Sequence, residues 1–224
     1  MKREITAVIP VKENSSRLPG KNFLPINGYD TLLENKISQL KEVEGIKEIL
    51  VTSDSEQAGL IAAKTGVKFV KRPLEFANES RPLSDFFRYV YTLLNTSHML
   101  WACVTSPLVD KEDYEQAIRL FDANVIHGSF DSLITVTEFQ HYLMDENGPL
   151  NYGLGSLHQN SDSLDKLHLF TNGILICSTS DLKEWGYNYG PNAFRMRLPQ
   201  EKSIDIDTKW DYLTAKTWIE ERRK

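Results

Sequence analysis

The chain has few cysteines and no long hydrophobic run. The first feature argues against a zinc site, and the second argues against a membrane-spanning helix. Only two of its 224 residues are cysteines, Cys103 and Cys177, and both lie in apolar stretches. We predict that both are reduced core residues, because they lack the paired spacing of a zinc site. No apolar run approaches the ~20 residues that a membrane-spanning helix needs, and no leader-peptide pattern is present. We therefore expect a cytoplasmic protein that makes no membrane contact.

Positive charge is not in excess either. The chain carries 26 Lys and Arg residues against 31 Asp and Glu residues, which gives a net charge of -5 and a sequence pI of about 5.6. Domains that bind nucleic acid are usually basic, so we expect no nucleic-acid partner. The length suits one sizeable α/β domain.

What the sequence does contain is an alternation of strand-like and helix-like segments in its first half. Residues 5–11 form an apolar, β-branched run, and similar runs follow at 46–52, 67–70 and 98–104. Apolar residues at helical spacing lie between them. This alternation predicts a mostly parallel sheet with helices on both faces. Residues 138–167 are polar and weakly periodic, and a stretch that long is usually functional or packs on a partner.

The first candidate site is the polar loop after the first strand, residues 12–22, which we call the cationic loop. It carries Lys12, Arg17 and Lys21 together with two serines and a Pro-Gly turn. Ligands of open α/β sheets lie beyond the carboxyl ends of the strands, and spaced cations can contact several phosphate oxygens at once. The loop therefore favours triphosphate binding, with a solvated basic loop as the alternative. It has neither of the common glycine-rich phosphate-loop spacings.

The second candidate is residues 203–208, which we call the acidic segment. Alternation along a strand would place Asp205 and Asp207 on one face, about 7 Å apart. Two carboxylates so placed suit Mg²⁺, which prefers oxygen ligands and often shares them with substrate phosphates. The alternative is that Asp207 belongs to the cap of the last helix and that Asp205 is solvated.

The chain is predicted to end in a helix over residues 208–222. Thr208 and Asp211 have the spacing of an N-terminal cap. Three apolar side chains of this helix are expected to face the core: Trp210, Leu213 and Trp218.

Polar residues at three more strand ends are weaker candidates. Arg72 could contact a base or a phosphate, or could form a surface salt bridge. Thr105 and Ser106 could contact a substrate through their hydroxyls, or could simply start the next helix. Asn172 precedes Gly173, and a glycine there predicts a tight turn or a close approach to a ligand.

Together these segments resemble the cytidylyltransferase family that activates acidic sugars, whose members include CMP-N-acetylneuraminate and CMP-3-deoxy-manno-octulosonate synthetases. The matching motifs occur in the family's order along nearly the whole chain, which is more specific than any one motif. They are Ile9-Pro10-Val11-Lys12, Ser15-Ser16, Arg17-Leu18-Pro19-Gly20-Lys21-Asn22, Val51-Thr52-Ser53-Asp54, Arg72-Pro73, Thr105-Ser106-Pro107-Leu108, Asn172-Gly173 and Asp205-Ile206-Asp207-Thr208 with Trp210-Asp211.

The resemblance implies a fold, a reaction and an assembly. The fold would be an α/β, Rossmann-like nucleotide-diphospho-sugar transferase fold, with one domain over residues 1–224. The reaction would be Mg²⁺-dependent coupling of CTP to an acidic sugar, such as a sialic-acid-like nonulosonate, giving a CMP-sugar and pyrophosphate. Sialate members of the family are homodimers in which one segment reaches over the neighbouring active site. Residues 138–170 would therefore serve in dimerisation or as a lid.

The resemblance also implies roles for single residues. The triphosphate would be held by Lys12, Ser15, Arg17 and Lys21, and the nucleoside by Asn22 and Arg72. Asp205 and Asp207 would hold Mg²⁺. The catalytic residues would be Lys12, Lys21 and Asp207.

The chain departs from the family pattern at three positions. Lys12 replaces an arginine, which keeps a phosphate contact but loses bidentate geometry. Cys103 replaces a glutamine that faces the sugar in sialate enzymes, and Phe170 replaces an arginine that helps to bind the acidic sugar. The acceptor half of the site is thus altered, and its expected residues are Cys103, Thr105, Ser106, Phe170 and Asn172. A related nonulosonate or another small anionic acceptor fits this pattern better than N-acetylneuraminate does.

Two alternatives follow from the same residues. One is a nucleotidyltransferase of the same fold with another donor or a phosphorylated acceptor. The other is a catalytically silent homologue that binds nucleotide and has lost the chemistry.

Overall fold

The apolar run at the start of the chain forms strand β1 (Ile5–Val11), which lies inside a seven-stranded sheet in the computed structural model. Both faces of β1 are covered. Ala7 and Ile9 pack into the core on one face, and Val8 packs into the core on the other. A strand buried on both faces carries few polar side chains, which is why it is a nearly unbroken apolar run in the sequence.

The structure describes residues 4–77 and 81–222. Short 3₁₀ turns join several of the helices and strands. In chain order the elements are β1, α1 (Leu32–Lys41), β2 (Ile46–Ser53), α2 (Glu56–Thr65), β3 (Lys68–Lys71), α3 (Leu83–Thr92), β4 (His98–Trp101), α4 (Lys111–Phe121), β5 (Ser132–Phe139), β6 (Met144–Asp145), β7 (Gly148–Pro149), β8 (Leu167–Ser178), α5 (Thr179–Trp185), β9 (Ala193–Arg197) and α6 (Lys209–Glu221).

The sheet is mostly parallel, as predicted. Its strand order is β3-β2-β1-β4-β8-β5-β9, while β6 and β7 form a separate two-stranded sheet. Strand β8 pairs antiparallel with both β4 and β5, and the other pairings in the large sheet are parallel. The carboxyl ends of β1, β2, β4, β5 and β9 therefore meet at one edge, and β8 begins at that same edge.

Helices cover both faces of the sheet, which confirms the predicted α/β architecture. Buried residues of α1, α2, α4 and α6 belong to the core on one face. Buried residues of α3 and α5 belong to the core on the other. Among the described residues, no helix is long and apolar enough to span a bilayer.

The acidic segment is not a strand, and this part of the sequence prediction is wrong. Residues 204–207 follow a 3₁₀ turn and form no strand ladder. The Ile206 N–H donates to the carbonyl oxygen of Thr105 at 2.8 Å, and the Ile206 carbonyl accepts from the side chain of Lys21 at 2.8 Å. The segment is held by these two tethers instead of a neighbouring strand, although Ile206 is buried as expected.

The last helix begins where its cap was predicted, but it turns a different face to the core. The Asp211 N–H donates to Thr208 Oγ1 at 3.3 Å, and Asp211 accepts from the Thr208 N–H in return. From that start, Ala215 and Ile219 pack against the sheet. The three apolar residues expected in the core are instead exposed: Trp210 by 71%, Leu213 by 50% and Trp218 by 44%.

The 138–170 segment leaves the sheet at the edge where the strand ends meet. Strand β5 runs to Phe139 and β8 begins at Leu167, so the ends of the predicted loop belong to strands. The β6–β7 pair and two 3₁₀ turns lie between them. The segment thus starts and ends at the edge of the sheet where the parallel strands end.

Candidate active site

A cleft of about 620 Å³ lies at the sheet edge where β1 and β4 end and β8 begins. Its volume falls within the range of roughly 300–1,000 Å³ for small-molecule sites. Its position follows the rule that ligands of open α/β sheets bind beyond the carboxyl ends of the strands. Ten of the residues predicted for the site line the cleft: Lys12, Ser15, Arg17, Lys21, Asn22, Arg72, Cys103, Thr105, Phe170 and Asn172.

The cationic loop is closed by a contact between its two ends. The side-chain amide of Asn22 donates to the carbonyl oxygen of Lys12 at 2.8 Å. Gly20 has a φ of 65°, a left-handed conformation that glycine adopts without strain, and a 3₁₀ turn over Lys21–Phe23 follows it. These local features hold the loop in one shape at the cleft.

The acidic segment reaches the cationic loop from the far end of the chain. Lys21 Nζ lies 2.7 Å from Asp207 Oδ1. Arg17 Nη1 lies 2.7 Å from Asp207 Oδ2. The Arg17 side chain is 65% exposed and that of Lys21 only 13%, so the Lys21 contact is the better shielded from solvent. The cationic loop and the acidic segment therefore meet, through one carboxylate that bridges two cations.

Asp205 carries a buried oxygen without a partner. Its Oδ1 atom makes no hydrogen bond within the part of the chain that the structure describes. Burial raises the pKa of the Asp205 carboxyl, and the charge of Asp207 raises it further, whereas a hydrogen bond from the Thr105 side chain lowers it. A buried acceptor left unpaired is destabilising and rare in folded proteins. This atom is therefore a natural contact point for a ligand.

The two aspartates fit a hard divalent cation. Neither aspartate is among the residues that line the cleft, but Asp207 contacts Lys21 and Arg17, which do line it. Asp205 contributes the unpartnered oxygen. No group of three or more His, Cys, Asp or Glu side chains in residues 4–77 and 81–222 is placed to hold a metal ion. Mg²⁺ typically takes one or two carboxylates and completes its shell with water and substrate phosphates, whereas structural zinc needs a full protein set.

Arg72 is a buried cation at the cleft, so the surface salt bridge considered from the sequence is wrong. It is 2% exposed, its Nη2 donates to the Thr52 carbonyl at 2.6 Å, and its guanidinium lies 4.5 Å from the centroid of the Phe86 ring. Burial lowers the pKa of Arg72 to about 10, so it stays protonated at neutral pH. Its Nε makes no hydrogen bond to any described residue and leaves a donor for a ligand.

Cys103 forms part of the cleft wall as a neutral thiol. Burial raises its pKa to about 12, and the nearby Asp205 carboxylate contributes to the shift. A thiol with that pKa is neutral at physiological pH, and only the thiolate is reactive.

A bulge in β8 turns Asn172 toward the cleft. Residues 172–174 have no pairing partners on β5, and Thr135 accepts from the Ile174 N–H at 3.0 Å inside the bulge. A side chain at Gly173 would lie 3.1 Å from both Val109 and Thr135. A larger residue here would be tightly packed against these two neighbours. Bulges often re-aim side chains beside active sites.

Ser106 was predicted to contact the substrate, but the structure places it behind the cleft wall. It is 3% exposed and is not among the cleft-lining residues. Its carbonyl accepts a hydrogen bond from Lys36 at 3.0 Å. Its neighbour Thr105 does line the cleft.

One wall of the cleft was not predicted from the sequence. This wall consists of aromatic side chains and one amide, namely Phe86, Phe87, Trp101, Tyr187 and Asn188. Phe86, Phe87 and Trp101 also pack into the core. Their second role depends on where the chain folds around them, which the local pattern does not reveal.

Comparison with known proteins supports one family. A family model described as Cytidylyltransferase matches residues 6–148. An N-acylneuraminate cytidylyltransferase from Escherichia coli O18:K1:H7 is 26% identical over 223 residues, which cover 97% of this chain and 52% of that protein. An 8-amino-3,8-dideoxy-manno-octulosonate cytidylyltransferase from Shewanella baltica (strain OS155) is 27% identical over 118 residues, covering 53% of this chain and 47% of that protein. The chain spans about half the length of these curated relatives.

Solved structures with low sequence identity share the fold. A CMP:2-keto-3-deoxy-manno-octonic acid synthetase complexed with CTP has a TM-score of 0.69 and 14% identity, covering 98% of this chain and 99% of that one. A cytidylyltransferase from Leptospira borgpetersenii has a TM-score of 0.66 and 20% identity, covering 98% of this chain and 87% of that one. The fold is therefore the Rossmann-like nucleotidyltransferase fold that the sequence predicts.

Proposed function

The chain belongs to the cytidylyltransferase family, and we propose that it transfers the cytidylyl group of CTP to a small acidic sugar with release of pyrophosphate. One observation carries this proposal. The cationic loop and the acidic segment meet at the cleft, where Lys21 Nζ lies 2.7 Å from Asp207 Oδ1. The first region suits a triphosphate and the second suits a divalent cation, and nucleotidyl transfer needs both.

In our proposal the triphosphate binds to Lys12, Ser15, Arg17 and Lys21. Arg17 is largely exposed, so its side chain can turn from Asp207 to a phosphate oxygen without disturbing the core. Charge-assisted hydrogen bonds from several cations suit the spread of negative charge along a triphosphate. Asn22 and the unpaired Nε of Arg72 serve the nucleoside.

Asp205 and Asp207 would hold Mg²⁺, which when bound polarises the phosphate and offsets its charge. The acceptor hydroxyl oxygen forms a bond to the α-phosphorus and gives up its proton to solvent. The bond from the α-phosphorus to the bridging oxygen breaks, and pyrophosphate leaves. Lys12 and Lys21 stabilise the charge that develops on the phosphate oxygens. Before the nucleotide binds, Asp207 holds Lys21 in place through its carboxylate. When the triphosphate binds, its oxygens replace that carboxylate as the partner of Lys21.

The acceptor in this proposal is a sugar acid bound against the aromatic wall. Phe170 lies 5.4 Å from Tyr189 between ring centroids and is 44% exposed, so its ring face is open to a ligand. The two curated relatives are named for acidic sugars, which supports this acceptor class. Phe170 offers no charge to an acceptor carboxylate, so that group is left to the cations and the metal on the nucleotide side.

We further propose a homodimer in which the 138–170 segment lies over the partner's cleft. The segment leaves the sheet at the edge that carries the cleft. It exposes several large apolar side chains, which a second copy would cover. They are Met144 at 64%, Leu150 at 62%, Leu154 at 68% and Leu157 at 74% exposure. Sedimentation velocity tests this, with a monomer at micromolar concentration as the contradicting result.

The reaction is tested by incubating the purified chain with each of the four nucleoside triphosphates, Mg²⁺ and a panel of acidic sugars, and by following pyrophosphate release. Release that needs CTP and one acidic sugar supports the proposal. Release only with a phosphorylated polyol would favour another acceptor class within the same fold. Binding of CTP without turnover on any acceptor would favour a silent homologue.

A further inference from the structure

One lysine of this chain lies wholly inside the core. Lys36, on α1, has no exposed surface. Its Nζ lies 3.0 Å from the Ser106 carbonyl oxygen, 3.2 Å from the Val109 carbonyl oxygen and 2.9 Å from the hydroxyl of Tyr114. Burial of an amine is unfavourable unless its hydrogen bonds are made, so these three contacts matter to the fold.

The three partners satisfy the amine in either protonation state. A charged amine donates to all three oxygens, while a neutral one donates to the two carbonyls and accepts from Tyr114. Burial lowers the pKa of Lys36 to about 7, although the nearby Cys103, Asp113 and Asp110 raise it. The amine therefore stays hydrogen-bonded to the loop after β4 across the neutral pH range.

That loop touches the acidic segment one residue away from the lysine contact. Thr105, the neighbour of Ser106, accepts from the Ile206 N–H at 2.8 Å. The Thr105 side chain also lies close enough to the Asp205 carboxylate to lower its pKa. A short path thus runs from Lys36 through the loop to the residue that carries the unpartnered oxygen.

A second lysine binds the chain next to the acidic segment to the start of α4, which follows the same loop. Lys202 Nζ lies 2.7 Å from Asp110 Oδ2 and 2.6 Å from Asp113 Oδ2. Lys202 stands just before the acidic segment, and the two aspartates form the capping box at the start of α4. The acidic segment is therefore fixed to the 105–109 loop and the start of α4, and Lys36 binds the same loop.

We propose that Lys36 is a positioning residue of the active site, which holds the 105–109 loop so that Thr105 fixes Asp205 for binding a divalent cation. An apolar residue of similar size would fill the same space but could not bind the loop carbonyls. This inference rests on the proposed function, because it assigns a purpose to Asp205.

The test compares Lys36→Met with the wild-type chain. Methionine keeps most of the volume and removes the amine. Binding of Mn²⁺ in the presence of CTP is measured by electron paramagnetic resonance, together with the Mg²⁺ dependence of pyrophosphate release. We expect Mn²⁺ affinity to fall by about 10- to 100-fold, the range found for residues that orient metal ligands. The KM for CTP at saturating Mg²⁺ should change little.

Asn35→Ala is the matched control, because Asn35 is equally buried on α1 but contacts Asn27 instead of the loop. It should lower thermal stability and leave Mn²⁺ affinity unchanged. A purely structural role for Lys36 would make both variants lose stability with the same metal affinity, and that result would overturn the inference.

The outcomes separate this inference from the proposed function. A wild-type chain that binds no Mn²⁺ with CTP defeats the proposed function itself. A wild-type chain that binds and turns over, beside a Lys36→Met chain of equal Mn²⁺ affinity, defeats the inference alone. Should Lys36→Met fail to fold, Lys36→Gln replaces the amine with a shorter amide, which weakens the contacts to the carbonyl oxygens of Ser106 and Val109. A weaker Mn²⁺ affinity in that variant supports the inference, and an unchanged one assigns Lys36 to folding only.

Discussion

The two halves of the cleft are lined by different kinds of side chain. On the nucleotide half, charged side chains are tethered to each other and to the backbone, as Lys21 is to Asp207 and Arg72 to Thr52. On the acceptor half, aromatic rings such as Trp101 form a wall that is shared with the core. Binding on the first half depends on the geometry of polar contacts, and binding on the second depends on shape. Substitutions in the two halves should therefore change different kinetic constants.

The largest effect is expected from Asp207→Ala, which removes the carboxylate that links the two regions of the nucleotide half. Turnover should fall by about 10²- to 10³-fold, the loss typical of removing one preorganised electrostatic group. Pyrophosphate release measures it. Glu201→Gln is the control, because that carboxylate lies on the same stretch but pairs with Arg222, away from the cleft. Full turnover in Asp207→Ala would show that Asp207 is not part of the active site.

Lys21→Ala should weaken CTP binding by about 10- to 100-fold, because it deletes a hydrogen-bonded charge that the triphosphate would use. Isothermal titration calorimetry measures the affinity. Arg17→Ala should have a smaller effect, since that side chain is 65% exposed. An unchanged affinity in Lys21→Ala would count against the cationic loop as the triphosphate site.

The burial of Lys36 can be tested through the pH dependence of stability. The pKa of Lys36 is about 7 in the folded chain against 10.5 in its ordinary state, so the unfolded chain binds more protons between these values. Stability then rises with pH in that window, by about 1–2 kcal/mol between pH 7 and 8.5. Urea unfolding of the wild type and of Lys36→Met measures this rise. The variant should lack it, and equal pH slopes would contradict the burial of a titrating amine.

The smallest effect is expected on the acceptor half. Phe170→Ala should raise the KM for the acceptor by about 3- to 10-fold through loss of ring contacts, and should leave CTP affinity unchanged. Steady-state kinetics with each substrate varied in turn separates the two constants. A loss of CTP affinity in this variant would mean that the two halves are not separable.

The sheet could be predicted from the sequence because its signals are local. Strands buried on both faces form apolar runs, and the helices between them show regular spacing. The family resemblance, drawn from motifs in order along the chain, is confirmed by the match over residues 6–148. The residue types of the site were also identifiable, since cations and carboxylates stand out at strand ends.

Other features depend on partners far away in the chain. The acidic segment looked like a strand, but its tethers Thr105 and Lys21 lie about 100 and 185 positions away. Lys36 is indistinguishable in the sequence from a solvated lysine, because its acceptors begin 70 positions later. The exposed face of α6 was misassigned because α6 has apolar residues on more than one face. Helical spacing alone does not show which of these faces packs against the sheet.

The most direct test of the central claim is the affinity for CTP, measured by calorimetry with Mg²⁺ and with chelator, for the wild type and Asp207→Asn. If the cationic loop and the acidic segment bind a metal-bound triphosphate together, Mg²⁺ tightens CTP binding to the wild type and does not tighten it for the variant. A wild-type affinity that is the same with and without Mg²⁺, or an equal tightening in Asp207→Asn, would contradict the account.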